Sequence, residues 1–410
     1  MVRDAPVPTP APRGLLFTAF EPSGDDHASA VIAELRRRHP SLPIFAWGGA
    51  RMERAGATLV ERTGDDAVMG MPGISKILEH QRINQRIDAW LAKNPVLAHV
   101  PVDSPAANMP ICEIAKKHGI KVVHLVAPQI WAWGRWRIHR LRRLTDLVLC
   151  MLPFEPEFFT RRRVPARYIG HFLFDEPLDT RALDRRASVF GDGDPRIAMM
   201  PGSRPNELER HFPIILDAFR ALKGLHPGAV GVVAATSDRV ADLLRSMAST
   251  RGGLPEGVRI VVQDTDAVVR WCQIALVKSG TVTLQVAKQR RPMVVFYKKS
   301  NPLFFLLVRS ILATSVFSLP NVLARRRIVP EFIPHYGGAG PLVRAMEQLL
   351  VDPSVRAAQE ADISRVLRDF EGLHAASLAS DAIEEMIGLR RPAEIPAHLP
   401  HAGNPSPLPT

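Results

Sequence analysis

The sequence predicts an α/β fold of two βαβ domains, each a parallel sheet covered by helices on both faces, with a cleft between the two. Three observations carry that prediction. Short continuous apolar runs alternate with longer helical patterns along most of the chain, the mark of strands buried on both faces. The 410 residues suffice for two domains of about 150–200 residues each. The alternation pauses once, in the polar, turn-rich stretch Asp179–Asp194.

In the first half the strand candidates are Leu15–Phe20, Ile44–Trp47, Leu97–Val102, Val122–Val126, Leu147–Leu152 and Arg167–Ile169. In the second half they are Ile197–Met200, Val230–Ala235, Arg259–Val262, Ile274–Val277 and Met293–Tyr297. Helical patterns at Ala28–Arg38, Ala106–His118, Glu207–Lys223 and Arg239–Ser249 lie between them. The expected domains are residues 14–185 and 186–389, with the final helical region Pro341–Leu389 long enough to pack back on the first. Residues 1–13 and 390–410 are Pro-rich and read as disordered tails. No repeat of 20–50 residues is present, so a solenoid is excluded.

Composition narrows the function. Hydrophobic residues make up 46% and charged residues 23%, a globular mix. Cys112, Cys150 and Cys272 are far apart with no CxxC pair, which removes a disulfide framework and a zinc knuckle and suits a reducing compartment. A formal charge of +12 suits nucleotide phosphates, nucleic acid or an anionic membrane face. No compact nucleic-acid-binding motif accompanies it. The opening residues lack the apolar core of a secretory signal. The most apolar stretch, Leu303–Leu319, is interrupted by Arg309 and falls short of the roughly 20 residues of a bilayer span. It reads as a helix that is buried or lies against a membrane surface.

Four strand-to-helix loops carry candidate chemistry. In Glu21-Pro22-Ser23-Gly24-Asp25, Ser23 and Asp25 are suited to capping the next helix and Gly24 to close backbone approach; an acidic Glu21 at the strand's end is what a tight turn leaves unexplained. Pro201-Gly202-Ser203-Arg204 precedes a helix and makes a phosphate cradle, with N–H groups and a guanidinium as donors. Lys278-Ser279-Gly280-Thr281 repeats that arrangement, although neither loop has Walker spacing. In Val102-Asp103-Ser104-Pro105, Asp103 is placed either to take a proton from a hydroxyl or to cap the next helix, and spacing alone favours the cap. Gln129–Trp136 holds three of the six tryptophans and leads into Arg137, His139, Arg140, Arg142 and Arg143. That segment suits base stacking, a sugar or acyl pocket, or a packed core beside a solvated basic helix, the last being the default. Arg161–Arg163 and Arg325–Arg327 extend the basic surface.

Taken in order, these loops resemble lipid-A-disaccharide synthase from about Gly14 to Leu389. The family's GExSGD appears as Phe20-Glu21-Pro22-Ser23-Gly24-Asp25, and GGxxMxxxG as Gly48 through Gly56. PxxWAWxxxR appears as Pro128 through Trp133 with Arg137, LPFE as Leu152–Glu155, and GH as Gly170-His171. PGSRxxE follows at Pro201–Glu207, SGTxTL at Ser279–Leu284 and LPNxLAxRxxVPE at Leu319–Glu331. The set is specific because it is collinear.

The resemblance implies an inverting, metal-independent, cofactor-free glycosyltransferase with two Rossmann-like domains (GT-B-like), cytoplasmic and peripheral to the inner membrane. It implies transfer of 2,3-diacylglucosamine from UDP to 2,3-diacylglucosamine 1-phosphate, with release of UDP, in lipid A biosynthesis. Its implied partners are those two substrates and an anionic membrane face, with no nucleic acid and with a homodimer left open. By the resemblance Asp103 is the general base. Gly202, Ser203, Arg204, Ser279, Gly280, Thr281, Gln285, Asn321 and Glu331 fall on the donor side, and Glu21, Ser23, Gly24 and Asn108 on the acceptor side. The Phe304–Leu307 patch and the basic residues then serve membrane contact.

The chain departs from the family pattern at several places. DxPDFN reads Asp103-Ser104-Pro105-Ala106-Ala107-Asn108, GHP ends in Phe172, SGTxTLE ends in Gln285, and PExxQ ends in Pro334. A neutral Gln285 is a weaker acceptor for a ribose hydroxyl than a carboxylate. The alternatives these changes leave are a divergent UDP-sugar enzyme with another acceptor, or a catalytically silent binding relative.

Overall fold

The computed structural model describes residues 13–63, 73–132, 134–298 and 315–390, with the side chains of residues 73–77 outside that description. All but Arg13 and Arg390 of the expected tails, Trp133 and most of the apolar stretch Leu303–Leu319 lie outside the described residues. No described helix is long and apolar enough to cross a membrane.

The chain divides into two compact units. One runs to Asp175 and takes in the residues from Gly372 onward, and the other is Glu176–Glu371. The break therefore falls earlier than the expected 185/186 boundary. The polar stretch Asp179–Asp194 is not a linker, because it folds into the helix Thr180–Ala187 and a 3-10 turn, Ser188–Phe190. Asp179 caps that helix by accepting from the Ala182 N–H at 2.9 Å.

In the first unit, β1 (Gly14–Thr18), β2 (Ile44–Gly48), β3 (Thr58–Arg62), β4 (Val96–Pro101), β5 (Lys121–Leu125), β6 (Leu147–Cys150) and β7 (Ala166–Tyr168) form one parallel sheet ordered β3-β2-β1-β4-β5-β6-β7. All five residues of β1 are buried, as a central strand covered on both faces requires. The last described helix, Ala375–Ile387, covers this sheet and places Ala375, Ala379, Ala382 and Ile383 in its core. Arg38 binds Ser377 Oγ at 2.7 Å, and Arg167 binds Glu385 at 2.7 Å. The expected return of the C-terminal helices is met by this helix, and the two before it, Gly340–Val351 and Pro353–Leu367, stay with the second unit.

In the second unit, β8 (Arg196–Met200), β9 (Val230–Ala235), β10 (Val258–Val262), β11 (Ile274–Lys278), β12 (Met293–Lys298) and β13 (Glu331–His335) are ordered β10-β9-β8-β11-β12-β13, again parallel. The core gathers Phe212, Phe219, Leu276, Val294, Phe296 and Met346.

Most strands lie within a residue or two of expectation, the ordinary uncertainty of an element end. Two were missed, β3 and β13. Both are edge strands, half exposed and carrying Glu61, Arg62 and Pro334, so neither reads as a continuous apolar run, and edges are where Pro and charge are tolerated. The first helix also begins earlier than expected, at Pro22. Glu21 is its extended N-cap and Pro22 is preset for the first turn, so Ser23, Gly24 and Asp25 are helical and do not form a loop.

Candidate functional site

Each sheet has one switch point, where chain order reverses, and ligands in such sheets bind beyond the carboxyl ends of the strands there. In the first sheet it lies between β1 and β4, in the second between β8 and β11. The segments after these four strands are the four singled out from sequence, the one after β1 being the start of a helix.

At the first switch point, Asp103 and Ser104 follow β4 with φ of 48° and 39°, and Val126 follows the neighbouring β5 at 67°. Three non-glycine residues in the left-handed region cost about 1–3 kcal/mol each, and such strain collects where geometry matters. The Asp103 N–H donates to the Leu125 carbonyl at 3.0 Å. Ser104, the N-cap of the helix Pro105–Lys117, makes no capping bond through its side chain. Asp103 lies one residue before that cap, so its backbone does not place it as the helix's N-cap.

The acceptor-side residues take different places. Asn108 is wholly buried, and its amide is spent on the loop, donating to the Val102 and Asp103 carbonyls at 3.0 and 2.9 Å. Gly24 is buried, and a Cβ there would stand 3.3 Å from Ala19 Cβ and 3.4 Å from the Val102 carbonyl; the glycine lets the first helix pack against the ends of β1 and β4. Asp25 does not cap its own helix. Its carboxylate accepts from the N–H groups of Gly49, Arg51 and Met52 at 3.0–3.1 Å, closing the start of the helix Ala50–Arg54. Glu21 and Ser23 remain at the head of the first helix, beside the end of β1.

At the second switch point, Gly202 takes φ 111°, a conformation L side chains avoid. Ser203 and Arg204 are exposed, with Arg204 as the extended N-cap of the 21-residue helix Pro205–Leu225. The positive end of that helix favours an anion. Between the two loops lies an ion pair that sequence reading overlooked: Lys278 Nζ to Glu207 Oε1 at 3.0 Å, both side chains only 13% exposed. Arg204 also approaches Glu207, at 3.5 Å. The PGSRxxE spacing, with Glu207 one turn into the helix and Lys278 ending β11, was the signal available. His211 sits nearby against Tyr297, and burial, then the Lys278 charge, lowers its imidazole to about 4. Gly280 and Thr281 complete the β11 loop, while the Ser279 N–H is already given to the Phe296 carbonyl at 2.9 Å.

The other donor-side candidates are held internally. Gln285 is half buried and donates to Asp266 Oδ1 at 3.0 Å. Asn321 is wholly buried, accepting from the Ile328 and Val329 N–H groups and donating to Glu331. Glu331 also accepts from the Phe317 and Ser318 N–H groups and the Ser318 hydroxyl, at 2.6–3.0 Å. Asn321 and Glu331 thus tie β13 to the segment before Leu319.

The tryptophan segment is packed core in part and surface in part. Trp131 is buried and donates to Glu155 Oε1 at 2.9 Å, while the Leu152 N–H donates to Oε2. Burial pushes the Glu155 carboxyl up to about 7. Trp136 is 63% exposed. Burial, then the charges of Arg135 and Arg161, lowers Arg162 below its usual range. Among the described residues, no group of three or more His, Cys, Asp or Glu side chains is arranged to hold a metal ion.

Two parallel βαβ sheets, each with a switch point, form a fold of the GT-B type, and membership of the family it matches makes the chain a UDP-sugar-dependent glycosyltransferase. Residues 15–386 match the Lipid-A-disaccharide synthetase family, and the chain belongs to it. Lipid-A-disaccharide synthase from Anaeromyxobacter dehalogenans is 37% identical over 384 residues, covering 92% of this chain and 97% of that protein. Among solved structures, a glycosyltransferase from Rickettsia africae aligns with a TM-score of 0.55 at 12% identity, covering 93% of this chain and all of that one. UDP-GlcNAc 2-epimerase from Neisseria meningitidis, bound to UDP-GlcNAc, aligns at 0.57 and 10%, covering 92% and 100%. At such identities the structural likeness is one of fold.

Proposed function

We propose that this chain carries out the lipid-A-disaccharide synthase reaction. It transfers 2,3-diacylglucosamine from UDP to the 6-hydroxyl of 2,3-diacylglucosamine 1-phosphate, with inversion and release of UDP. The observation that carries this reading is Asp103, presented at the first sheet's switch point on a backbone held in the left-handed region. As general base it accepts the proton of the attacking hydroxyl. The oxygen then bonds to the anomeric carbon as the bond to the diphosphate breaks, and charge grows on the leaving group. Arg204, the N–H groups at the head of its helix, and the Ser279–Thr281 loop are suited to stabilise that charge. Exposed Trp136 and the basic residues next to it in sequence, Arg135 and Arg137, support peripheral contact with an anionic leaflet.

A coupled UDP-release assay tests the reaction. Release that needs both substrates and vanishes in Asp103→Asn, with UDP binding intact, supports it. Unchanged turnover in the variant removes Asp103 as base, and no UDP binding by the native protein removes the whole reading.

A further inference from the structure

We propose that Thr18 and His99 are positioning residues for Asp103, acting through Asn108 as a one-way chain of hydrogen bonds. The proposal rests on Asp103 being the base. Asn108 spends both amide hydrogens on the carbonyls of Val102 and Asp103. Those carbonyls belong to the two peptides that flank the Asp103 Cα, so one side chain grips the residue from both sides. With the Asp103 N–H held by Leu125, the left-handed turn is fixed by three bonds. A residue released from it would relax toward negative φ and swing its carboxylate away.

The polarity of the chain follows from counting hydrogens. The Asn108 nitrogen donates twice, so Oδ1 is the acceptor, and the Thr18 hydroxyl donates to it at 2.7 Å. That hydroxyl has one hydrogen. His99 Nε2, at 2.8 Å from Thr18 Oγ1, must therefore be the donor, which assigns the proton to Nε2. His99 Nδ1 has no hydrogen-bond partner. Burial, then the neighbouring His124, lowers the His99 ring to about 3, so it stays neutral and keeps that tautomer.

Thr18, His99 and Asn108 are all wholly buried. Filling a central strand asks only for apolar side chains, and burying polar ones is costly unless each is paired. Here the pairing leads to a single place, the backbone of Asp103.

The test is Thr18→Val, which keeps the shape of the side chain and removes the hydroxyl. The expected result is a kcat lower by about ten- to hundred-fold, since small misplacement of a reacting group has that effect, with UDP affinity unchanged. Thr18→Ser restores most of the rate. In an Asn108→Ala background, Thr18→Val adds nothing further to the loss in kcat. Wild-type kcat in Thr18→Val, with Asp103→Asn inactive, overturns the positioning role and leaves the base in place. Turnover in Asp103→Asn overturns the base itself. Nitrogen-15 NMR of histidine-labelled native protein tests the proton assignment without a variant. A neutral His99 with its proton on Nε2 from pH 6 to 9 is expected, and a proton on Nδ1 or a cationic ring overturns the proposal.

Discussion

The two switch points solve different problems with different materials. The first is built from buried neutral groups, with Asn108 bonded to the strained backbone of Asp103. The second is built from a glycine turn, an exposed Arg204 and a screened Lys278–Glu207 pair around a helix start. On the proposed reading, a rigid, uncharged support around the Asp103 backbone suits a general base, and a charged, open loop suits an anion and tolerates adjustment. On that reading the same topology yields a site that aims and a site that gathers.

The largest expected effect breaks the first of these. Asp103→Asn lowers turnover by about a thousand-fold and leaves UDP affinity near native, read by UDP release and by titration calorimetry. Next comes the support under the tryptophan segment. Glu155 has a folded-state pKa raised to about 7 from 4.5, so its contribution is fully present below the lower value and is lost as pH rises through 7. Glu155→Gln keeps one acceptor oxygen for the two N–H donors of Trp131 and Leu152. Urea unfolding is therefore expected to find it less stable than the native protein near pH 5, with the gap shifting in its favour by about 3 kcal/mol by pH 8.5. A gap that does not change between pH 5 and 8.5 contradicts this.

The gathering site gives a smaller effect with a different signature. Arg204→Ala weakens UDP binding by about tenfold at low salt, and the gap narrows as salt screens the exposed charge. A loss independent of salt would erase the distinction drawn between the two loops. Smallest is Gln285→Glu. It sets a second carboxylate beside Asp266 and lowers the unfolding free energy read from urea titration by about 1 kcal/mol; Asp266→Asn in the same chain recovers it.

Both sheets were legible because central strands such as Leu15–Phe17 and Ala275–Val277 are apolar on both faces. β3 and β13 were not, since an edge strand bears Glu61 or Pro334 without penalty. The four segments were legible by position, each closing an apolar run, although Pro22–Asp25 begins a helix where a loop was expected; Arg204 and Asp103 lie at the strand ends that the sequence marked. Roles were harder to read. Spacing favoured Asp103 as a helix cap, and only the family resemblance pointed to a base. Asn108, Asn321 and Glu331 carry the polar groups of ligand-binding residues, yet their bonds run inward to nearby backbone. Sequence shows a side chain's chemistry but not the direction in which it points. The Lys278–Glu207 pair joins residues far apart in the chain; the PGSRxxE spacing marks Glu207, but nothing local names Lys278 as its partner.

The helix Ala375–Ile387 belongs to the unit that β1 begins, with all of Glu176–Glu371 intervening. During synthesis the first sheet is finished early, but the helix that covers it emerges only after all of Glu176–Glu371. For that interval the face destined for Ala379 and Ile383 stands open, while the second unit is already complete enough to fold. A chain stopped before Ala375 would therefore be a sticky one, and the order of manufacture runs opposite to the order of the fold.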